Sequence, residues 1–257
     1  MLAALTLPDV TTDNTKTTAF GPPNDTFSLS DEFCQSQPLL LKHLQFVLEH
    51  NAHVNLTGIS DLANGKVIHI EDSLAVLPEV VAAPQGSIAD IGSGAGYPGI
   101  PLALCSGRPT LLIEATQKKA ALLKRFIAEQ SLGHQVSVAP ERSEAVAQKQ
   151  AARFSVVTAR AVGSLPVLIE LAAPLLRIDG VLLALKGQTT TAEIEQGKQA
   201  ATLLGLDLAE ERYFRLSNGS SRRIYTFCKH SEPAITLPRR PGMAGKRLLV
   251  RRFSCEK

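Results

Sequence analysis

The residues with the clearest capacity for chemistry are three glycines that alternate in the first half of the chain. Gly92, Gly94 and Gly96 follow a short apolar run, and Pro98 stands just beyond them. Glycine adopts positive φ without strain and lets a ligand press against the backbone. Proline suits the first turn of a helix because its missing amide would be unpaired there. The pattern predicts a strand–loop–helix junction whose backbone amides form a polar cradle at the carboxyl edge of a sheet.

An acidic residue at the end of the next apolar run extends this candidate site. Glu114 lies 22 residues after Gly92, and a carboxylate at about that spacing accepts ribose hydroxyl protons in dinucleotide-binding folds. We therefore expect a nucleoside-bearing cofactor, and two identities stay open. The stretch 94–99 fits the dinucleotide fingerprint of NAD. Asp90, just upstream of the glycines, can instead meet the cationic end of S-adenosylmethionine directly or through water.

The elements that must position this site alternate between short apolar runs and helical patterns. The predicted strands are 87–91, 110–114, 135–139, 154–159 and 181–185, and the predicted helices between them are 98–105, 118–131, 144–151, 165–177 and 192–204. Strict alternation implies parallel strands joined by crossover helices. A final antiparallel pair is expected from 206–216 and 223–229. We therefore predict an α/β fold with a doubly wound, mostly parallel seven-stranded sheet.

Outside this core the sequence divides into further segments. Residues 1–27 lack periodicity and are expected to be a disordered leader. Residues 28–65 are expected to be an N-terminal helical extension, whose main helix begins at Ser30 and ends near Asn51. The sheet domain is assigned to 66–230. Residues 231–257 are expected to form a basic C-terminal tail.

Charge is distributed unevenly along the chain. From Arg215 to the end there are 11 Lys and Arg against only Glu232 and Glu256, whereas the remaining 214 residues hold 16 basic and 22 acidic residues. A basic end on a mildly acidic body favours a polyanionic partner such as nucleic acid. A solvated tail that only aids solubility is the alternative that charge alone leaves open.

Composition excludes several classes of protein. With 44% hydrophobic and 20% charged residues in 257, the chain is not disordered as a whole. No apolar run approaches the ~18 residues that span a bilayer, and the N-terminus lacks the pattern of a signal peptide. The four cysteines are far apart and have no paired spacing: they are Cys34, Cys105, Cys228 and Cys255. We therefore expect reduced thiols, a cytoplasmic location and no metal site.

Several short motifs stand in one order along the chain. They are Asn-Leu-Thr at 55–57, His-Ile-Glu-Asp-Ser-Leu at 69–74, the glycine segment at 90–101, Lys-Lys at 118–119, Arg-Ala at 160–161 and Leu-Lys-Gly at 185–187. Their combination resembles the bacterial small-subunit ribosomal RNA guanine-N7 methyltransferases, once called glucose-inhibited division protein B, over about residues 30–250. His50 departs from that pattern, which usually has Trp there.

The resemblance implies a Rossmann-like class I methyltransferase fold. It implies S-adenosylmethionine as methyl donor and a single guanine in a decoding-region loop of 16S rRNA as acceptor. Together with the glycine pattern it predicts as cofactor-binding residues Asp90, Gly92, Ser93, Gly94, Gly96, Tyr97, Glu114, Ser143, Glu144 and Arg160. It predicts as RNA-binding residues Asn55, Thr57, Ser73, Lys186, Arg222 and Arg223. A solvated lysine is an alternative for Lys186.

The expected catalytic residues are Asp72, His69 and Arg160. Guanine N7 carries a lone pair and no proton, so its methylation needs no general base, and these residues are expected to position the reactants. Asp72 could also stabilise the positive charge that the purine gains. His69 also fits the alternative of a packing histidine.

The sequence thus predicts a cytoplasmic, monomeric rRNA guanine-N7 methyltransferase. Its expected partner is the small ribosomal subunit, and no membrane partner is expected. Two other function classes stay open. One is an NAD(P)-dependent oxidoreductase, which cofactor binding would distinguish. The other is a non-enzymatic RNA-binding or ribosome assembly factor, which would bind the subunit and transfer no methyl group.

Overall fold

The computed structural model describes residues 36–250, and its centre is one seven-stranded sheet. The strands are β1 (Ile88–Ile91), β2 (Thr110–Ile113), β3 (Val136–Ala139), β4 (Phe154–Arg160), β5 (Leu176–Lys186), β6 (Leu206–Arg215) and β7 (Ser221–Lys229). Their order is β3-β2-β1-β4-β5-β7-β6. The first five run parallel, and β7 is antiparallel to both of its neighbours. The predicted doubly wound, mostly parallel seven-stranded sheet is confirmed.

Helices cover both faces of the sheet. They are α1 (Gln37–Val54), α2 (Leu62–Gly65), α3 (Asp72–Leu74), α4 (Leu77–Ala82), α5 (Gly99–Ser106), α6 (Gln117–Glu129), α7 (Ser143–Lys149), α8 (Leu165–Ala172), α9 (Thr191–Leu203) and α10 (Met243–Lys246). A π-helical turn, Lys66–Glu71, joins α2 to α3, and a 3-10 turn, Leu132–His134, follows α6. The crossover helices match the predicted ones to within a few residues, except at the end of α8.

The end of α8 differs because β5 begins earlier than its apolar pattern indicated. The prediction extended this helix to 177, whereas it ends at Ala172. Leu176 already pairs with Phe154 of β4, and the register shifts between Phe154 and Val156 before the main parallel pairing resumes. The polar residues Arg177 and Asp179 belong to this first part of β5 and gave no strand signal in the sequence.

The N-terminal extension packs directly on the sheet domain. Leu40 and Leu44 of α1 belong to one buried apolar cluster with Ile70, Leu74 and Leu183. Burial of apolar side chains is the main favourable contribution to such packing. The described part of the extension and the sheet therefore share a core. The leader 1–27 and the predicted helix start at Ser30 lie outside the described residues.

The segment from 231 to 250 also packs against the core. Over this length the alternative of a solvated tail, which the charge distribution allowed, is wrong. Ile235, Leu237 and Leu249 contact the larger apolar cluster of the sheet. Arg239 forms an ion pair with Glu170 of α8, whose side chain is 4% exposed. Within residues 36–250, no helix is long and apolar enough to cross a membrane.

Candidate functional site

The glycine loop lies at the carboxyl end of β1, as the sequence predicted. The amides of Gly92 and Ser93 both donate to the carbonyl of Ile113 at the end of β2, at 2.8 and 3.1 Å. Gly92, Gly94 and Gly96 all have positive φ, at 67°, 56° and 96°. A Cβ at Gly92 would lie 2.6 Å from Cγ2 of Val162. The loop thus requires glycine for backbone conformation and, at Gly92, for space.

Asp90 supports the loop from behind. Its carboxylate is fully buried. It accepts the Thr158 hydroxyl at 3.0 Å and the Gly99 amide at 3.1 Å. Burial raises the pKa of Asp90 to about 6, although these hydrogen bonds oppose the shift. The prediction that Asp90 meets the ligand does not match this placement, because both carboxylate oxygens are engaged inside the protein. Ser93 is buried too, and its hydroxyl donates to the Asp90 carbonyl at 2.9 Å.

Glu114 ties β2 to the glycine loop. Its Oε2 accepts the Gly94 amide at 2.9 Å, and its Oε1 accepts the Thr116 amide at 2.7 Å. A carboxylate has about four lone-pair sites, so each oxygen retains capacity for another donor. Glu114 therefore fits a ligand that presents two adjacent hydroxyl groups, as a ribose does.

A first cavity, about 270 Å³ in volume, opens beside this loop. Apolar side chains of Ile113, Val162 and Leu171 line it, and the buried Ser143 and Glu144 of α7 provide a polar edge. Apolar walls with a few polar groups are typical of small-molecule sites. The slot suits a purine base next to the ribose position at Glu114, so the residues fit an adenosine-bearing cofactor.

A second cavity, about 480 Å³ in volume, lies at the carboxyl ends of β4 and β5. Asp72 lines it. Its Oδ2 accepts a hydrogen bond from Nη1 of Arg160, and its Oδ1 accepts one from Nε of Arg222, each at 2.9 Å. Lys186 lines the same cavity. Asp72 is only 6% exposed, and its negative charge is shared by two guanidinium groups. Its arrangement indicates that it holds the two arginines in place.

His69 and Tyr97 form a stacked pair between the glycine loop and this cavity. Their ring centroids lie 4.5 Å apart at an interplanar angle of 8°, and Nε2 of His69 lies 2.8 Å from the Thr57 hydroxyl. Burial and the nearby Arg160 charge lower the pKa of His69 to about 4, so the ring is neutral at pH 7. Tyr97 is 3% exposed, which places it under the loop rather than in the cofactor cavity where it was expected.

The predicted RNA-binding residues are not all brought together. Lys186 and Arg222 line the second cavity, although Lys186 also forms an ion pair with Glu193 at 2.9 Å. Arg223 pairs with Glu211 on β6. Ser73 is fully buried, so its hydroxyl packs inside the protein and not on an RNA-facing surface.

Asn55 is exposed at the end of α1, where it has a φ of 50°. It is not among the residues that line either cavity. In residues 36–250 no three His, Cys, Asp or Glu side chains cluster as a metal site would require.

Three residues of the site were missed by the sequence analysis. Thr158 orients Asp90, Val162 forms a wall of the first cavity, and Gly242 lines the same cavity from the C-terminal segment. Thr158 is the one polar residue in the stretch 156–159 of β4, which is a usable signal. The positions of Val162 and Gly242 depend on how loops fold back over the sheet, and their types gave no signal.

Comparisons with known proteins identify relatives of this chain. The profile of the family described as rRNA small subunit methyltransferase G matches residues 36–219. A protein named ribosomal RNA small subunit methyltransferase G from Geobacillus sp. (strain WCH70) is 34% identical over 209 residues, covering 80% of this chain and 87% of that protein. A protein of the same name from Desulfitobacterium hafniense (strain Y51) is 37% identical, covering 79% and 85%.

A solved structure, a tRNA methyltransferase from B. subtilis, is similar at a TM-score of 0.51 with 16% identity. The match covers 62% of this chain and 66% of that one. At this identity the likeness concerns the fold alone. It agrees with the mostly parallel sheet and its crossover helices.

Proposed function

This chain belongs to the rRNA small subunit methyltransferase G family, and we propose that it transfers a methyl group from S-adenosylmethionine to N7 of a single guanine in 16S rRNA. The observation that carries the proposal is the family match over residues 36–219. That range contains the glycine loop and every lining residue of the second cavity except Arg222. The two cavities flank the same segment, since Arg160 and Ala161 line the second and Val162 lines the first.

The first cavity and the glycine loop would hold the cofactor, with Glu114 at the ribose and Ser143 and Glu144 at the adenine. When bound, S-adenosylmethionine supplies an electrophilic methyl group on a positively charged sulfur. The chain's own contribution is to fix the positions of the two reactants, a proximity effect that reaches ~7–11 kcal/mol in favourable cases.

No residue of the site needs to accept a proton. Guanine N7 presents a lone pair and no hydrogen. His69 is neutral at pH 7 and is engaged with Thr57. Asp72 is held between Arg160 and Arg222. Among the described residues that line the second cavity none is a free general base. This supports attack by a ring nitrogen over attack by an amine or a hydroxyl group, each of which must lose a proton.

The second cavity would receive the guanine nucleotide. Arg160 and Arg222 supply N–H donors that match phosphate oxygens and the O6 carbonyl of guanine, which leaves the N7 lone pair free to attack. Asp72 acts as a positioning residue for both. The sequence-based hypothesis that Asp72 stabilises the positive charge of the methylated purine loses support, because two guanidinium groups already compensate its charge.

The named relatives favour methyl transfer over the NAD(P)-dependent alternative. An rRNA substrate implies a cytoplasmic location, and we also infer a monomer. Of the large apolar side chains between residues 36 and 250, only Leu62, Val81 and Ile178 are exposed, which gives little apolar surface for self-association.

Transfer of labelled methyl from S-adenosylmethionine tests the proposal. Small ribosomal subunits from a strain lacking the modification and naked 16S rRNA serve as the two acceptors. We expect up to one methyl group per rRNA molecule on one of them. A folded protein that binds subunits tightly but labels neither acceptor would favour the assembly-factor alternative.

A further inference from the structure

The C-terminal segment contributes to the wall of the first cavity. Gly242, Ala244 and Gly245 line it together with apolar side chains of α8. The amide of Gly242 donates a hydrogen bond of 2.8 Å to Oε1 of Glu144. These residues lie beyond the range 36–219 that the family profile matches, and no sequence pattern assigned them to the cofactor.

Several contacts hold this segment in place. The Arg239 guanidinium pairs with the buried Glu170 carboxylate of α8 and donates to the carbonyl of Arg247 at 2.7 Å. Ala244 is 4% exposed. The Arg239 side chain therefore closes a loop from residue 239 to residue 247 and anchors it to α8. This loop places Gly242 at the cavity.

We propose that residues 239–247 complete the cofactor site, with Gly242 as a positioning residue that fixes the Glu144 carboxylate for the adenine. The inference rests on the proposed function, because Glu144 faces an adenine only if S-adenosylmethionine occupies this cavity. Oε1 of Glu144 accepts the Gly242 amide, and Oε2 accepts the Ser143 hydroxyl at 3.4 Å. Since each carboxylate oxygen has two lone pairs, Oε2 can also accept a proton of the adenine amino group.

The role of Gly242 follows from its backbone. Its φ is 80°, a conformation that favours glycine, and its amide aims at a carboxylate that is itself buried. A hydrogen bond to a carboxylate that is shielded from water is stronger than one between neutral groups. Loss of this bond would let Glu144 rotate away from the position at which it meets the ligand.

The chain offers a closely matched control for this glycine. Gly219, in the turn between β6 and β7, has a φ of 81°, and its amide donates a bond of 2.8 Å to the Leu216 carbonyl. A Cβ at either glycine would meet no atom within 4 Å. Proline at either site has no amide to donate and cannot adopt a positive φ. Of the two glycines, only Gly242 lines the first cavity.

The experiment measures the dissociation constant of S-adenosylhomocysteine by calorimetry for wild type, Gly242→Pro and Gly219→Pro, with thermal unfolding to show that each is folded. We expect binding to weaken about tenfold or more in Gly242→Pro and to stay unchanged in Gly219→Pro. Equal constants in wild type and Gly242→Pro would overturn the inference alone. Wild-type protein that binds no ligand would overturn the proposed function, and this inference with it.

A second measurement needs no variant and remains decisive if Gly242→Pro fails to fold. Amide hydrogen exchange of the wild-type protein is followed with and without S-adenosylhomocysteine. Peptides that contain Gly242 should exchange more slowly with the ligand, whereas peptides that contain Gly219 should not change. An unchanged rate at Gly242 in protein saturated with ligand would contradict the inference.

Discussion

The backbone amide of Gly94 donates a 2.9 Å hydrogen bond to the Glu114 carboxylate, so the ends of β1 and β2 are joined through the residue expected at the ribose. The glycine loop is therefore held by hydrogen bonds within the protein, and one of these bonds is accepted by an acidic side chain. Preorganisation of this kind lowers the cost of ordering the site on binding.

Glu114→Gln tests the role of this side chain. The amide group of Gln can accept with one end only, so one of the two backbone donors, at Gly94 or Thr116, loses its partner. We expect cofactor binding to weaken at least about tenfold, and the free energy of unfolding to fall by about 1–3 kcal/mol. Calorimetric titration and urea unfolding measure the two effects. Glu195→Gln, at an exposed residue of α9, is the control and should change neither.

Gly92→Ala tests the space requirement at the loop. The new Cβ would overlap Val162 at a wall of the first cavity, whereas Gly107→Ala, at a similar φ of 71°, meets no atom within 4 Å. Both variants pay for a positive φ, about 1–2 kcal/mol. We expect only Gly92→Ala to weaken cofactor binding as well. Similar cofactor binding by the two variants would show that the Val162 side chain can move aside without affecting the cavity.

Much of the fold could be predicted because its information is local. The apolar runs of β1, β2 and β4 are buried on both faces, and each is followed by a helix of matching periodicity, so alternation alone indicates a parallel sheet. The segment 62–82 gave no comparable pattern. It is divided into the short α2, a π-helical turn, α3 and α4, each too short for a periodic signal.

The site could be predicted less completely than the fold. Spacing placed Glu114 and the glycines at one sheet edge, and the resemblance added Arg160 and Glu144. The direction of a buried side chain is set by packing, which is why Asp90 was expected at the ligand although it lies behind the loop. Gly242 is distant in sequence from Glu144, and nothing local indicated that the two would meet.

Asp72→Asn tests the arginine pair. Loss of the buried charge leaves Arg160 and Arg222 without their shared counter-charge, and removal of one partner of a buried ion pair costs about 3–5 kcal/mol. Because both arginines are partly exposed, we expect about 2–3 kcal/mol in urea unfolding, together with slower methyl transfer. Asp61→Asn is the control: Asp61 caps α2 through its side chain, and Asn caps equally well. Full turnover by folded Asp72→Asn would contradict the positioning role.

Asp90→Asn tests the buried carboxylate through its pH dependence. With a folded pKa of about 6 against an ordinary 3.8, the native state binds more protons than the unfolded chain between these values. The stability of the wild type therefore falls through this group as pH rises from about 4 to 6, and then levels off. Asn can accept from Gly99 and donate to Thr158 without titrating. The free energy of unfolding of the variant should thus rise relative to that of the wild type by up to about 3 kcal/mol over this range.

Urea unfolding of both proteins from pH 4.5 to 8 measures that difference. All other titrating groups are common to the two proteins and cancel. If the free energy of unfolding of the variant minus that of the wild type stays constant or falls as pH rises, Asp90 is not held in the folded protein with a raised pKa.

The position of the methyl group tests the central claim most directly. Small subunits that lack the modification are incubated with the protein and S-adenosylmethionine, and their 16S rRNA is then cleaved chemically at 7-methylguanine. The account predicts a single new cleavage site, at one guanine, that is absent without the protein. Methylated rRNA with no such cleavage would place the methyl group on another atom and contradict the N7 assignment.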